Sequence, residues 1–396
     1  MADQSRLSVY LVALGAFALG MASYVTAGLI PLIEGTFSVS SATAAQLVTA
    51  FTLAYGLGSP VVVALLPGKH QRMGLLLALA VFIVANIASA LATSFISLAI
   101  WRAVAGVGAG VYLAMGIAAS AAITAETHRG KAIAIIMGGM ASGTVLGVPI
   151  SLLLAERFGW ESAMWLISAL GLIAYVGLQV KLPALPSAPT LSLVRKLAIL
   201  RSPHAMAILA VSLLGAVASL GMYTFIAPFM AATESGAVQS ITGYLWVWGI
   251  GGVVGSFLIG PLVDRFIGPV ITLAIMLLLL IALISLPLAA SIHPLLTLLP
   301  IALWGAVGWA LQVPQNNELV RTRQAHGDGH LAIALNESAL YLGSAIGAAL
   351  GGVLLAFNLP VSTLAIGAGA MAAAAAFVQL ALVAHARYNM PSNMAG

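Results

Sequence analysis

The chain has 396 residues, 62% of them hydrophobic and 6% charged, with a mean hydropathy of +1.11. Soluble globular domains carry about 25% charged residues. The 15 Lys and Arg and 10 Asp and Glu present cannot cover a water-facing surface on this length, so a soluble enzyme or binding module is excluded and a polytopic membrane protein remains. A pI near 9.6 would point to nucleic acid in a soluble protein. In a bilayer the basic residues orient helices instead, and no nucleic-acid partner is expected. With no cysteine, disulfide frameworks, zinc–cysteine sites and thiol nucleophiles are excluded.

A membrane-crossing helix needs about 20 mainly apolar residues. Runs of that length recur at 8–32, 44–66, 74–93, 96–124, 132–155 and 162–180, and again at 204–230, 240–262, 270–291, 294–315, 331–356 and 360–384. These are spans 1 to 12. The first is too long for a signal-peptide core and stays as a span. Backbone groups in lipid must be satisfied within the segment, so the runs predict helices and an all-α membrane fold. The longest polar break, 182–203, holds Pro183, Pro186, Pro189, Arg195, Lys196 and Arg201. It predicts a cytoplasmic linker between two six-helix bundles, 1–181 and 204–396.

Charge placement supports twelve crossings. With the amino terminus inside, the inner segments hold Arg6, Lys69, Arg72, Arg129, Lys131, Lys181, Arg195, Lys196, Arg201, Arg265, Arg321, Arg323 and Arg387. Only Arg157 falls outside, and Arg102 lies within span 4. Both termini are therefore expected in the cytoplasm. The halves also echo each other. Gly58-Ser59 in span 2 matches Gly255-Ser256 in span 8, and Gly143-x-x-x-Gly147 in span 5 matches Gly343-x-x-x-Gly347 in span 11. Both offsets are near half the chain, as parallel repeats require.

Three segments carry a family resemblance. Gly260-Pro261-Leu262-Val263-Asp264-Arg265 closes span 8. Leu98 to Gly110 in span 4 has a central Arg102 and a following glycine run. Gly143-Thr144-Val145-Leu146-Gly147-Val148-Pro149 lies in span 5, followed by Phe158-Gly159-Trp160. In this order and at these depths they resemble the major facilitator superfamily, and within it the twelve-span drug/proton antiporters that include sugar and arabinose efflux proteins. The resemblance implies two pseudo-symmetric six-helix bundles in a bacterial inner membrane. It also implies a cavity faced by spans 1, 4, 7 and 10, and proton-coupled export of a small organic molecule. A monomer without cofactor or resident metal is expected. Two departures stand out. The first-half loop signature is lost, with Pro67 at its acidic position and Val63 at its first glycine. In span 1, the acid expected before Gly28-Leu29-Ile30-Pro31 is Ser23.

Two ionisable residues remain at membrane depth, Arg102 and Glu337. Such groups cost roughly 2.5–3.5 kcal/mol on insertion scales and persist where they face a cavity or a partner. Glu337 shares an i, i+4, i+7 stripe with Tyr341 and Ser344, beside the Gly343, Gly347, Gly351 face that should pack closely. It reads as a proton or substrate-cation site, or as a structural carboxylate near the interface. Arg102 reads as a coupling residue, as the resemblance implies, or as an interhelical donor. Asp264 and Arg265 read as a conformational latch. Candidate substrate-facing residues are Ser23, Tyr24, Thr26, Tyr112, Met140, Tyr223, Phe225, Trp248, Trp309, Gln312, Asn336 and Tyr341. This set suits a small, mostly apolar or amphipathic ligand.

Other patterns are declined. Gly106 to Gly110 lies within a membrane helix with no preceding strand, so it is no nucleotide loop. His326-Gly327-Asp328-Gly329-His330 sits in a loop with two glycines and is a poor metal site. No Walker motif is present. The expectation is a secondary transporter and not an enzyme. The alternative is an uncoupled facilitator or uptake carrier, which the loss of the span-1 acid would favour.

Overall fold

A computed structural model describes residues 2–65, 71–125, 129–185, 201–232, 241–323 and 329–388. Among the described residues twelve helices are long and apolar enough to cross a membrane. They are Arg6–Phe37, Ser41–Val63, Gln71–Ala90, Phe95–Ile123, Ala132–Phe158, Glu161–Lys181, Pro203–Thr224, Ile241–Ile259, Gly268–Ile292, Pro294–Leu319, Leu335–Ala356 and Ser362–Ala384. Each coincides with one of the predicted spans. The loop position Pro67, most of the segment His326–His330 and the linker basics Arg195 and Lys196 lie outside the described residues.

Local chemistry sets the helix ends. Ser40, Ser94 and Ser202 cap the starts of spans 2, 4 and 7, each hydroxyl accepting from the backbone N–H three residues on. Gly159 ends span 5 at φ +87°, a conformation that disfavours any side chain. Proline explains the irregularities. Span 7 was expected to run unbroken over 204–230, but it breaks at Phe225 and resumes as Ile226–Ala231. Pro228 has no N–H to offer the carbonyl of Thr224, which a continuous helix would require. Spans 2 and 5 widen into single π-helical turns at Ala54–Gly58 and Gly143–Gly147. Pro60 and Pro149 follow directly and leave the carbonyls of Gly56 and Val145 without their ordinary donors.

The helices form two six-helix bundles whose glycine contacts correspond. In the first, span 5 lies on span 1, where a Cβ on Gly139 or Gly143 would strike the carbonyl of Ala13 or Phe17. In the second, span 11 lies on span 7, where a Cβ on Gly343 or Gly347 would strike the carbonyl of Leu213 or Val217. Span 4 meets span 2 through Gly106 against Phe51, and span 10 meets span 8 through Gly305 against Trp248. Small residues let backbones approach in lipid, where no hydrophobic force drives helices together. Large apolar side chains such as Phe257, Leu299 and Phe377 cover the outer face, as a lipid-facing surface requires.

The bundles meet in the half of the membrane distant from the amino terminus. There span 2 runs along span 11 and span 5 along span 8. Gln46 lies against Gly352, Val145 against Gly249, and the Thr242 hydroxyl donates to Glu156 Oε1 at 3.1 Å. Toward the amino-terminal side the spans line a cavity.

Candidate functional site

The cavity holds about 270 Å³ between the two bundles. Tyr24 of span 1 and Met137 and Met140 of span 5 form one wall. The other is built from Ser219 of span 7, Trp248 and Ser256 of span 8, Trp309 and Gln312 of span 10, and Glu337 and Tyr341 of span 11. Glu337 lies eight residues into the helix Gly329–Ala356, about 12 Å along its axis at 1.5 Å per residue. No hydrogen bond or ion pair joins it to another described residue.

Tyr24 crosses the bundle interface to an aromatic cluster of the second bundle. Its ring centroid is 5.5 Å from Tyr223, 6.2 Å from Trp248 and 6.4 Å from Trp309. Tyr223 packs behind, 4.5 Å from Trp248. Trp304 completes the cluster, and its indole N–H donates to Ser219 Oγ at 2.8 Å. The indole nitrogens of Trp248 and Trp309 are buried and have no hydrogen-bond partner among the described residues. At the closed end of the cavity Tyr341 stacks on Tyr55 of span 2, centroids 3.5 Å apart and planes at 17°. The Tyr341 hydroxyl lies 3.3 Å from Ser23 Oγ, which also has the Leu19 carbonyl at 2.9 Å. The position where an acid was expected is thus bonded to a residue one helical turn from Glu337.

Arg102 has a different setting. It is 1% exposed, donates from Nη2 to the Ala22 carbonyl at 2.6 Å and stands 4.4 Å over the Phe51 ring. Its Nε and Nη1 have no hydrogen-bond partner among the described residues, and it does not reach the cavity wall. It ties span 4 to spans 1 and 2, next to Ser23.

A twelve-helix, two-bundle membrane protein with an interfacial cavity has few possible families, and comparison decides between them. The Major Facilitator Superfamily model matches residues 12–326. The chain belongs to the major facilitator superfamily. Inner membrane transport protein YdhP of Escherichia coli K12 is 28% identical over 349 residues, covering 88% of each chain. A chloramphenicol resistance protein of Streptomyces lividans is 30% identical over 265 residues, 65% of this chain and 67% of that one. The fold matches a bacterial homologue of the human lysosomal transporter Spinster, solved inward-facing and unoccupied. There the TM-score is 0.72 at 15% identity, covering 95% of this chain and 96% of that one. Membership of this superfamily makes the chain a membrane transporter of small molecules and not an enzyme.

Within this superfamily fold, Tyr24, Met140, Trp248, Trp309, Gln312, Glu337 and Tyr341 are brought to one cavity, and Tyr223 stands immediately behind it. Other expected residues are not. Span 4 gives the cavity no side chain: Tyr112 turns its hydroxyl to the Val12 carbonyl at 3.0 Å and its ring against Gly15, where it packs span 4 on span 1. Phe225 sits at the break in span 7 and packs on Gly351. Asn336 donates from Nδ2 to Asn316 Oδ1 at 2.8 Å, joining spans 10 and 11. Ser23 and Thr26 are buried in span 1 behind the wall, the Thr26 hydroxyl without a partner among the described residues. Arg265 is exposed at the last turn of span 8, and the Asp264 side chain lies outside the described residues. Sequence reasoning missed Tyr55. A tyrosine in an apolar span beside Gly56 and Gly58 was its only signal, and its partner lies in the other bundle.

Proposed function

We propose that this transporter exports a small organic molecule from the cytoplasm by alternating access, in exchange for protons carried by Glu337. The observation that carries the reading is a lone carboxyl without a described partner on the wall of an interfacial cavity. A group so placed can exchange a proton with whichever side the cavity faces. Likeness to a chloramphenicol resistance protein supports efflux of a drug-like or metabolite-sized molecule. The basic residues on one side support a bacterial inner membrane location with both termini cytoplasmic. The cavity then opens inward, and the Tyr55–Tyr341 stack lies in the closed outer half.

In this reading 1–181 and 204–396 rock as a monomer's two bodies about the linker 182–203. Asp264 and Arg265 latch the inner face when it closes. Arg102 positions span 1 against spans 2 and 4 and transmits to the cavity through the Ser23–Tyr341 contact. Inward movement of one proton supplies about 2.3 kcal/mol per 100 mV of membrane potential. A second reading, an uncoupled facilitator, is favoured by Ser23 in place of the span-1 acid. Transport measured in inside-out vesicles with an imposed proton gradient separates them. Coupled export collapses when the gradient is dissipated and when Glu337→Gln is introduced. Export indifferent to both sinks the proton reading.

A further inference from the structure

We infer that the second bundle holds a single dehydrated alkali-metal cation in a small pocket where spans 7, 9, 10 and 12 converge, apart from the transport cavity. The pocket holds about 10 Å³, room for the centre of one water-sized particle. It lies on the membrane side that carries the amino terminus. His204 at the start of span 7, Thr272 near the start of span 9, Gln315 and Glu318 at the end of span 10 and Gln379 toward the end of span 12 line it. None of them lines the transport cavity.

The lining is rich in hydrogen-bond acceptors. Gln379 is 2% exposed; its Nε2 donates to the Pro269 carbonyl at 2.8 Å, and its Oε1 is buried with no described partner. Gln315 is equally buried, and its Nε2 donates to the Ile208 carbonyl at 3.1 Å and to Ser212 Oγ at 3.0 Å. A carbonyl only accepts, so each amide nitrogen is fixed by its partner and each amide oxygen is turned the other way. The Thr272 hydroxyl gives its hydrogen to the Gly268 carbonyl at 3.3 Å and keeps its lone pairs. Glu318 adds a carboxylate. Four oxygen-bearing side chains from three spans thus border a space for one particle. A water brings two hydrogens and leaves buried acceptors unmet, which is costly. An alkali cation takes several carbonyl and carboxyl oxygens at once.

Charge points the same way. The basic groups described beside Glu318 are His204, with Nε2 3.7 Å from Oε1, and Arg321, with Nη1 3.9 Å from Oε2. Neither distance is that of a hydrogen bond, and Arg321 is 74% exposed, where water and salt screen it. One carboxylate calls for one positive charge. A transition ion is set aside, because no group of three His, Cys, Asp or Glu among the described residues could hold one. Magnesium keeps several waters, for which this pocket has no room. Every one of these groups belongs to the second bundle. The cation therefore ties spans 7, 9, 10 and 12 to one another and not one bundle to the other, so its role is to stabilise the bundle and not to drive transport.

The test uses the full-length protein in detergent, washed free of alkali salts into choline chloride. Sodium or potassium chloride then replaces choline at constant ionic strength while thermal melting is followed; choline is too large for the pocket. The melting temperature is expected to rise saturably with sodium or potassium, by roughly 2–5 °C at a hundred times the Kd. Equilibrium dialysis of the stabilising ion should give one site per protein. Glu318→Gln and Gln379→Leu should each raise the half-saturating concentration roughly tenfold or more. Thr272→Val keeps the shape and loses one oxygen, and should weaken binding by a smaller factor; it carries the test if Gln379→Leu does not fold. Glu337→Gln should respond as the unaltered protein does. Equal melting in choline, sodium and potassium overturns the inference and leaves the pocket to an ordered water. So does an ion response that persists unchanged in folded Glu318→Gln, or one that Glu337→Gln removes, which would place the ion in the transport cavity.

Discussion

The two bundles are built alike and equipped differently. Each stacks its fifth helix on its first, and its fourth on its second, through glycines seated against carbonyls. Yet the ionisable group of the first bundle, Arg102, is locked by a carbonyl and an aromatic ring away from the cavity. That of the second, Glu337, faces the cavity with no described partner. The tryptophans of the wall, Trp248 and Trp309, also belong to the second bundle, while the first contributes Tyr24 and methionines. The pseudo-symmetry is thus a property of helix packing, while the carboxyl and tryptophans of the cavity wall are concentrated in one bundle. Packing is constrained wherever backbones touch, whereas cavity-lining positions are free to diverge.

The symmetric part of the comparison can be broken by giving a side chain to a single glycine. Gly106→Val and Gly305→Val place side-chain atoms in the carbonyls of Phe51 and Trp248. Both should abolish monodisperse protein in size-exclusion chromatography, and to the same degree. A tolerated change in one bundle alone would end the equivalence. The asymmetric part predicts a dissociation between function and stability. Glu337→Gln should abolish gradient-driven transport while leaving the melting temperature unchanged or raised, because it removes a charge without a described partner. Arg102→Met should instead lower stability by about 1.5–3 kcal/mol, the worth of a hydrogen bond from a charged donor, read as a fall in melting temperature.

Smaller effects sharpen the picture of the interface. In a double-mutant cycle, Tyr55→Ala and Tyr341→Ala should show a coupling of about 0.5–1.5 kcal/mol in the melting of the outward-closed form, as stacked rings do. Additive effects would mean that the stack does not hold the bundles together. Tyr112→Phe should cost about 0.5–1.5 kcal/mol of stability for the lost bond to Val12 and leave transport kinetics unchanged. A changed KM would return Tyr112 to the substrate path.

Much of this was legible in the chain itself. The apolar run length gave twelve helices because the bilayer fixes how many residues must be apolar. The Gly343, Gly347, Gly351 face packs closely, as its spacing predicted, because i, i+4 periodicity puts three small residues in one line. Glu337 and Tyr341 share a cavity-facing stripe for the same reason. Tyr112 and Phe225 were misjudged because periodicity tells which residues share a face, but not which neighbour that face meets. The break at Phe225 was visible in Pro228 and went unused.

The sequence alone therefore determined the solvent, the number of crossings, the repeat and the depth of both ionisable residues, since each follows from composition or from spacing along one helix. Tertiary structure alone decided that Arg102 is bonded and Glu337 open, that Ser23 meets Tyr341 from 318 residues away, and that Tyr55 stacks across the bundle interface. Those outcomes depend on how helices are rotated and tilted against one another. That rotation is set by the summed packing of many side chains and leaves no local mark at the residues it brings together.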